Sequence, residues 1–443
     1  MAKVLINDQE FKTSLPYAAL KAARSSVSAA FVLRNELETA YAQAVAAGQE
    51  SVVELLRMQR LTHPACVLAA ALDAGGRRPV ADRPTLEMCF KIRDTLKLGQ
   101  PIDEVSVVRV KAKPAGGHRC IHTFGPIHRT QQEIVRRVLT DEFEPRSFQY
   151  ALRGVHAAVL QVQNFLKAGY VHMAQLDISD FFGHFELEKL APELPLPWEV
   201  VEHAVVGRHI VMAGPPGSGS HSTHGVPHPT YSPLPVSIAD EARLGLPQGS
   251  ICSPIVTELC LSRLPWSPTP AVKLVNYVDN FLLLATDEGS LQEEIEKLKW
   301  ALAQLPGGTF SFKPPLKKTG EAGMVFLGHI FQVSNGELHT LVGYSQGSKL
   351  LEMESALTNH IGFHYSVSKK IYIKEKIIRY YAYIKNFGVF YKHSDDAYTY
   401  IEIAMETISS LAKNIGISIS GIKKASTQYL DSEKPEFSGS GIE

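Results

Sequence analysis

The chain is poor in the features that would place it outside the cell or in a membrane. Five cysteines occur in 443 residues, Cys66, Cys89, Cys120, Cys252 and Cys260, and no two form a CxxC pair. That scatter excludes a disulfide framework and a zinc ribbon, and it fits a reducing compartment. No stretch approaches the ~20 apolar residues that a membrane-spanning helix needs. The opening "MAKVLINDQEFKTSL" lacks an apolar core of the signal-peptide kind, so a cytoplasmic location is expected. Net charge is lacking too. Forty-five Lys and Arg balance forty-five Asp and Glu, so any surface for a polyanion must come from local segregation of charge. No internal repeat is visible.

Hydrophobic residues make up 45% of the chain, enough for a sizeable core, and the length points to two to four subdomains. Residues 1–100 read as mostly helical, rich in Ala, Leu and Glu. The texture then changes. "VSVVRVKAKPAGGHRCIHTF" alternates and predicts a hairpin turned at Pro114-Ala115-Gly116-Gly117. Residues 128–166 return to helical spacing, and 170–179 predict a strand. Residues 213–235 form a Gly/Pro/Ser/His stretch without periodicity. It holds His221, His224 and His228, which lack a fourth ligand for a closed zinc site and read as a polar loop.

"VNYVDNFLLLA" (275–285) predicts a hairpin whose turn is made of Asp279 and Asn280. A helix follows, with Ser290 to Glu293 as its capping box and an apolar stripe through Leu291, Ile295, Leu298, Leu302 and Leu305. A further hairpin, 323–342, turns at Asn335-Gly336. Residues 349–430 read as helical, and the last dozen residues as a disordered tail. Strands and helices in this order predict an α+β arrangement, a sheet covered by helices on one face.

The chemistry-bearing stretches fall in one order: "LDISDFF" (176–182), "LPQGSICSP" (246–254), "YVDN" (277–280), "KKT" (317–319) and "FLGH" (326–329). This set resembles the palm of a reverse transcriptase of the bacterial group, which spans group II intron, retron and defence-associated enzymes. The match covers roughly residues 105–340. It implies a right-hand polymerase fold with an antiparallel sheet in fingers and palm. The limits expected are a helical N-terminal extension at 1–100, fingers at 101–169, palm at 170–345, a helical thumb-like domain at 346–431 and a tail at 432–443.

Nucleotidyl transfer uses two divalent cations, and Mg²⁺ favours carboxylate oxygens. Asp177 and Asp279 supply one carboxylate each; against this, Asp177 on an apolar strand could be a structural cap. The resemblance implies further roles. The Ile178 carbonyl completes a metal site, and the Asp180 and Phe181 amides meet the triphosphate. Phe182 stands where the family places a steric gate against a ribose 2′-hydroxyl, or else is core. Gln248 and Gly249 touch nucleotide and template. Lys111, Lys113 and Arg119 clasp the triphosphate, Arg119 being the better bidentate partner and the two lysines alternatively a solvated strand face. Lys318 helps protonate pyrophosphate, in competition with Lys317. Phe326, Leu327, Gly328 and His329 match the primer grip, and Tyr277 and Asn280 the hairpin tip.

Asn280 departs from the family pattern, in which a second Asp is commoner. It removes one negative charge, which puts metal affinity and the choice between Mg²⁺ and Mn²⁺ in question. Residues 349–392 carry eight Lys or Arg against three Glu, interleaved with Tyr365, Tyr372, Tyr380, Tyr381, Tyr383, Phe387, Phe390 and Tyr391. Such a segment suits a thumb that holds a duplex, or a helical bundle with aromatic core and solvated lysines.

The chain has little room for an endonuclease tail, and "FLGH" differs from the signature expected of retrons. By subtraction it is most similar to the defence-associated reverse transcriptases. That implies a bacterial cytoplasmic RNA-directed DNA polymerase in anti-phage defence. Its partners would be an RNA template, typically a dedicated noncoding RNA, together with dNTPs and a DNA product, and either a homo-oligomer or an accessory defence protein. Two other readings stay open: a retroelement or group II intron enzyme of mobility, and a catalytically impaired RNA-binding homologue.

Overall fold

The computed structural model describes residues 2–113, 116–216, 231–358, 367–423 and 426. The Pro114-Ala115 part of the expected hairpin turn, the three loop histidines His221, His224 and His228, Tyr365 and the tail at 432–443 lie outside the described residues.

Along the chain run β1 (Ala2–Ile6), β2 (Gln9–Thr13), α1 (Tyr17–Ala46), α2 (Glu50–Thr62), α3 (Pro64–Gly76), α4 (Leu86–Thr95), β3 (Ser106–Ala112), β4 (His118–Thr123), α5 (Pro126–Thr140), α6 (Val155–Lys167) and β5 (His172–Asp177). Then come α7 (Leu187–Leu190), α8 (Trp198–Val200), β6 (Met212–Pro216), β7 (Tyr231–Ser232), α9 (Val236–Ala242), α10 (Ser253–Ser262), β8 (Val272–Tyr277), β9 (Asn280–Ala285) and α11 (Glu288–Ala303). The last elements are β10 (Leu316–Thr319), β11 (Met324–Phe326), β12 (His329–Ser334), β13 (Glu337–Val342), α12 (Tyr344–Thr358), α13 (Val367–Phe390) and α14 (Ala397–Ile415). The α+β class expected from the sequence is borne out.

Compactness divides the chain into two units. One comprises residues 1–146, 179–265 and 301–311; the other comprises 147–178, 266–300 and 312–443. Each draws on several of the segments read from the sequence.

In the first unit the amino-terminal region is not all helix. β1 and β2 pair antiparallel about Asn7-Asp8, both with positive φ (46° and 60°). That is the geometry of a two-residue hairpin turn that Asn and Asp tolerate. Val4, Ile6, Phe11 and Thr13 are buried at every second position, a strand period hidden beside a long Ala-rich helix. The apolar helix α3 is buried along almost its whole length and packs with α1, α4 and α5.

Glu133 of α5 is fully buried and accepts from Arg77 (2.7 and 3.1 Å), Arg136 (2.7 and 2.9 Å) and Arg137 (2.9 Å). A buried carboxylate persists only when its oxygens are satisfied in this way. Glu104 caps the start of α5, taking the Ile127 (3.1 Å) and His128 (2.9 Å) amides. A four-stranded sheet has the order β4-β3-β6-β7, so both ends of the stretch read as an aperiodic loop are strands. α9 packs on this sheet through Val108, Cys120 and Ala242.

In the second unit an antiparallel sheet has the order β10-β5-β9-β8. A three-stranded sheet follows, β11-β12-β13, turned at Leu327-Gly328 and Asn335-Gly336, all four residues with positive φ. Val159 and Val162 of α6 share a core with Met173, Val275, Leu282, Phe326 and Phe331. The cap of α11 lies three residues earlier than expected: the Asp287 carboxylate takes the Ser290 amide (2.8 Å) and hydroxyl (2.7 Å).

The helices α12 to α14 have a core of their own, which includes Tyr380, Phe387 and Tyr391. Those three aromatics of the basic segment are therefore packing residues. The connection between α13 and α14 is tied to β13, where Asp395 and Asp396 accept the Thr340 and Val342 amides, each at 2.8 Å.

Candidate active site

The hairpin read from "VNYVDNFLLLA" forms, with its turn one residue earlier than expected. Tyr277 pairs with Asn280, so the two turn residues are Val278 and Asp279, and Asn280 opens β9. Val278 carries φ 55°. A β-branched residue there costs about 1–3 kcal/mol of backbone strain. The strain is held by Asn276, which is fully buried and whose side-chain amide donates to the Val278 (2.9 Å) and Asn280 (3.3 Å) carbonyls. The Asn276 backbone is bound in turn by residues 148–150. Its amide donates to the Phe148 carbonyl (2.8 Å), and its carbonyl accepts from Tyr150 (2.9 Å). Asn276 was not singled out from the sequence; its one signal was a polar residue directly after the apolar pair Leu274-Val275.

β5 brings the second carboxylate beside this turn. Asp177 is the register partner of Asn280, which sets their Cα atoms about 4.5–5.5 Å apart. The Ile178 amide donates to the Asp279 carbonyl (3.2 Å). Asp177 and Asp279 thus stand at the ends of adjacent strands, both half-exposed. Ile178 is buried. The Asn280 side-chain amide donates to Asp279 Oδ1 at 3.0 Å.

Lys313 reaches Asp177, its Nζ lying 3.1 Å from Asp177 Oδ2 and its amide donating to the Asp177 carbonyl at 2.9 Å. Lys318 pairs with Met173, four residues down β5 from Asp177, which places its Cα roughly 13 Å from that of Asp177 at strand spacing. Lys317 donates to Gln292. Sequence reasoning passed over Lys313 because nothing near it marks it; its ion pair joins residues 136 positions apart.

Phe326 to His329 form a tight turn, Phe326 pairing with His329 across Leu327 and Gly328. Phe326 and His329 are buried, and His329 Nδ1 lies 2.9 Å from the Leu327 carbonyl. Burial pulls the His329 imidazole down to about 4.

The residues expected to meet a nucleotide belong to the first unit, and most of them line one cleft: Lys113, Arg119, Asp180, Phe182 and Gln248. Lys111 is exposed opposite Arg119 on β3 and does not line it. Phe181 is buried, packed against Phe185 and Phe310 with centroids at 5.2 and 5.3 Å. Phe182 is half-exposed, and its carbonyl accepts the Leu246 amide at 2.8 Å. The Gln248 carbonyl accepts from the His122 amide at 2.8 Å. Gly249 has φ 100°, and a Cβ there would lie 2.3 Å from the His122 carbonyl oxygen. The close approach that requires glycine at 249 is therefore to β4.

Asp177 and Asp279 offer half-exposed carboxylate oxygens, the donor type Mg²⁺ favours. Asn280 adds a neutral amide whose donor already serves Asp279.

No family model and no curated protein matches the sequence. Among solved structures, the telomerase of Candida albicans in complex with the TWJ fragment of telomeric RNA is 11% identical, with a TM-score of 0.35 over 76% of this chain and 65% of that one. Apo telomerase from Candida tropicalis is 13% identical, with 0.36 over 78% and 69%. The RNA-dependent RNA polymerase of a human picobirnavirus is 12% identical, with 0.43 over 74% and 62%. The chain thus spans just under two thirds of the first and the last. Scores this low carry no argument about activity. Among the described residues no helix is long and apolar enough to cross a membrane.

Proposed function

We propose that the chain is a metal-dependent RNA-directed DNA polymerase. The observation that carries this reading is the placement of Asp177 and Asp279 at the ends of adjacent antiparallel strands, locked by the Asp177–Asn280 register and the Ile178–Asp279 hydrogen bond. Bound there, divalent cations would stabilise the attacking 3′-oxygen and the leaving pyrophosphate. Asp177, Asp279 and the Ile178 carbonyl would hold them. Mg²⁺ is the expected ion, with Mn²⁺ as its substitute.

The chain's own residues do the rest. Asn280 orients the Asp279 carboxylate. Arg119 and Lys113 hold triphosphate oxygens, and the Asp180 and Phe181 amides add main-chain donors. Phe182 sets a ring against the sugar 2′-position, and Gln248 and Gly249 line the template side. Lys313, rather than Lys318, is the ammonium that stands at the carboxylates, and it serves as proton donor to the departing pyrophosphate. The turn at Phe326–His329 grips the primer end, and the basic segment 349–392 holds the duplex. The segment limits 1–100, 101–169, 170–345 and 346–431 describe extension, fingers, palm and thumb.

The biological setting that the motifs favour is bacterial anti-phage defence, with a dedicated noncoding RNA as template. The test is to purify the chain, sequence the nucleic acid that comes with it, and add labelled dNTPs. A defined RNA that directs incorporation of label supports the reading, whereas RNA bound without incorporation in either metal supports the impaired homologue that Asn280 raises.

A further inference from the structure

β4 places His118 and Cys120 two positions apart, on one face of the strand. Glu241, in the last turn of α9, meets them there. One ligand atom from each of the three lies within 4.8 Å of the others. His118 Nε2 stands 2.7 Å from Glu241 Oε2, yet this nitrogen is shielded from solvent and makes no aligned hydrogen bond. The Cys120 thiol is buried, and its Sγ has only a long approach, 3.9 Å, to the Ile238 carbonyl. An imidazole nitrogen without a hydrogen bond, a thiol and a carboxylate turned to one point form a mixed N, S, O donor set. All three residues line the cleft that Lys113 and Arg119 also line.

We infer that His118, Cys120 and Glu241 bind one Zn²⁺ ion, with the fourth position left to water from the cleft. Three protein ligands of these types plus an open position suit tetrahedral zinc, whereas Mg²⁺ prefers oxygen donors alone. Ligation deprotonates Cys120, and the proton passes to solvent. The ion fastens α9 to β4 beside Arg119. It is distinct from the Asp177 and Asp279 site, which is built from residues of the other unit.

The test uses the full chain stripped by a chelator, with excess Mg²⁺ present to fill oxygen-donor sites, and titrated with Co²⁺. One equivalent should produce the near-ultraviolet thiolate-to-cobalt charge-transfer band and the visible bands of a tetrahedral ion, and one equivalent of Zn²⁺ should remove them. Cys120→Ser should abolish the charge-transfer band, with its fold verified by circular dichroism. Glu241→Gln should keep the band and weaken Co²⁺ binding by about tenfold or more. Absence of a thiolate band in the native chain overturns the inference. So does a band that survives Cys120→Ser, because the thiolate would then come from another cysteine.

Discussion

Replacing Asn280 by Asp installs the acid commoner in the reverse transcriptases that the sequence resembles, and the hydrogen bonding at the turn says what that does here. The Asn280 amide donates to Asp279 Oδ1 at 3.0 Å. An aspartate has no donor to put in its place. A hydrogen bond to a charged group contributes about 1.5–3 kcal/mol. Two negative charges about 3 Å apart repel by about 1.4 kcal/mol even at the dielectric of water, and by more in a half-buried site. Without metal, Asp279 loses the Asn280 donor and one of the two carboxyls is pushed towards its protonated form. If that orientation is what Asn280 supplies, Asn280→Asp lowers the rate of incorporation by roughly ten- to a hundredfold at saturating Mg²⁺, and Asn280→Ala does so to a similar extent. The assay is primed RNA with labelled dNTPs, titrated with Mg²⁺ and with Mn²⁺. An Asn280→Asp variant as fast as the native chain, and half-saturated at lower metal, refutes this: Asn280 would then merely replace a dispensable ligand.

Three more outcomes follow from the geometry. Asn276→Ala removes both bonds that hold the strained Val278 turn and should cost about 1–3 kcal/mol of stability; kcat should fall with KM for dNTP little changed, and a proportionate rise in KM would place Asn276 in substrate binding instead. Phe182→Ala should raise ribonucleotide use relative to dNTP, and an unmoved ratio makes Phe182 a packing residue. Stability should fall on acidification. Burial lowers the folded-state pKa of both His122 and His329 to about 4, so the unfolded chain binds more protons between about 6.5 and 4 and stability rises with pH across that window. Each histidine contributes about 1–1.5 kcal/mol of loss between pH 7.5 and 5.5. Glu133 adds a loss at lower pH: burial alone would raise its carboxyl, but Arg136 and Arg77 hold it at about 2, so its stabilisation disappears as pH falls from about 4.5 towards 2. Urea denaturation at the two higher pH values checks the histidines, with His329→Asn expected to flatten the slope by about half. An unchanged slope would show that His329 does not titrate on unfolding.

The strand end at Asp177 and the hairpin turn at Asp279 were legible because mostly apolar runs flank them and both stand in the ordered motifs of the resemblance. The turn was misplaced by one residue. Asp-Asn is the better turn pair by composition, but the 277–280 register and the Asn276 side chain select Val278-Asp279 against local preference. Lys113 and Arg119 were read from the resemblance of their hairpin, and Asp180, Phe182 and Gln248 from motif order. That Lys113, Arg119, Asp180, Phe182 and Gln248 share one cleft follows from pairings across long stretches of chain, which spacing does not encode. Lys313 and the His118, Cys120 and Glu241 cluster were illegible for the same reason, since each depends on a partner more than a hundred residues away. The amino-terminal hairpin was masked by its neighbours, two five-residue strands beside a thirty-residue helix.

The central claim is that Asp177 and Asp279 hold the metals of a polymerase. It is tested most directly by labelled dNTP incorporation on a primed RNA template with native protein, Asp177→Asn and Asp279→Asn, each verified as folded, in Mg²⁺ and in Mn²⁺. Incorporation by the native chain that either substitution abolishes is the result predicted; incorporation that both variants retain in full, or none by the native chain in either metal, contradicts it.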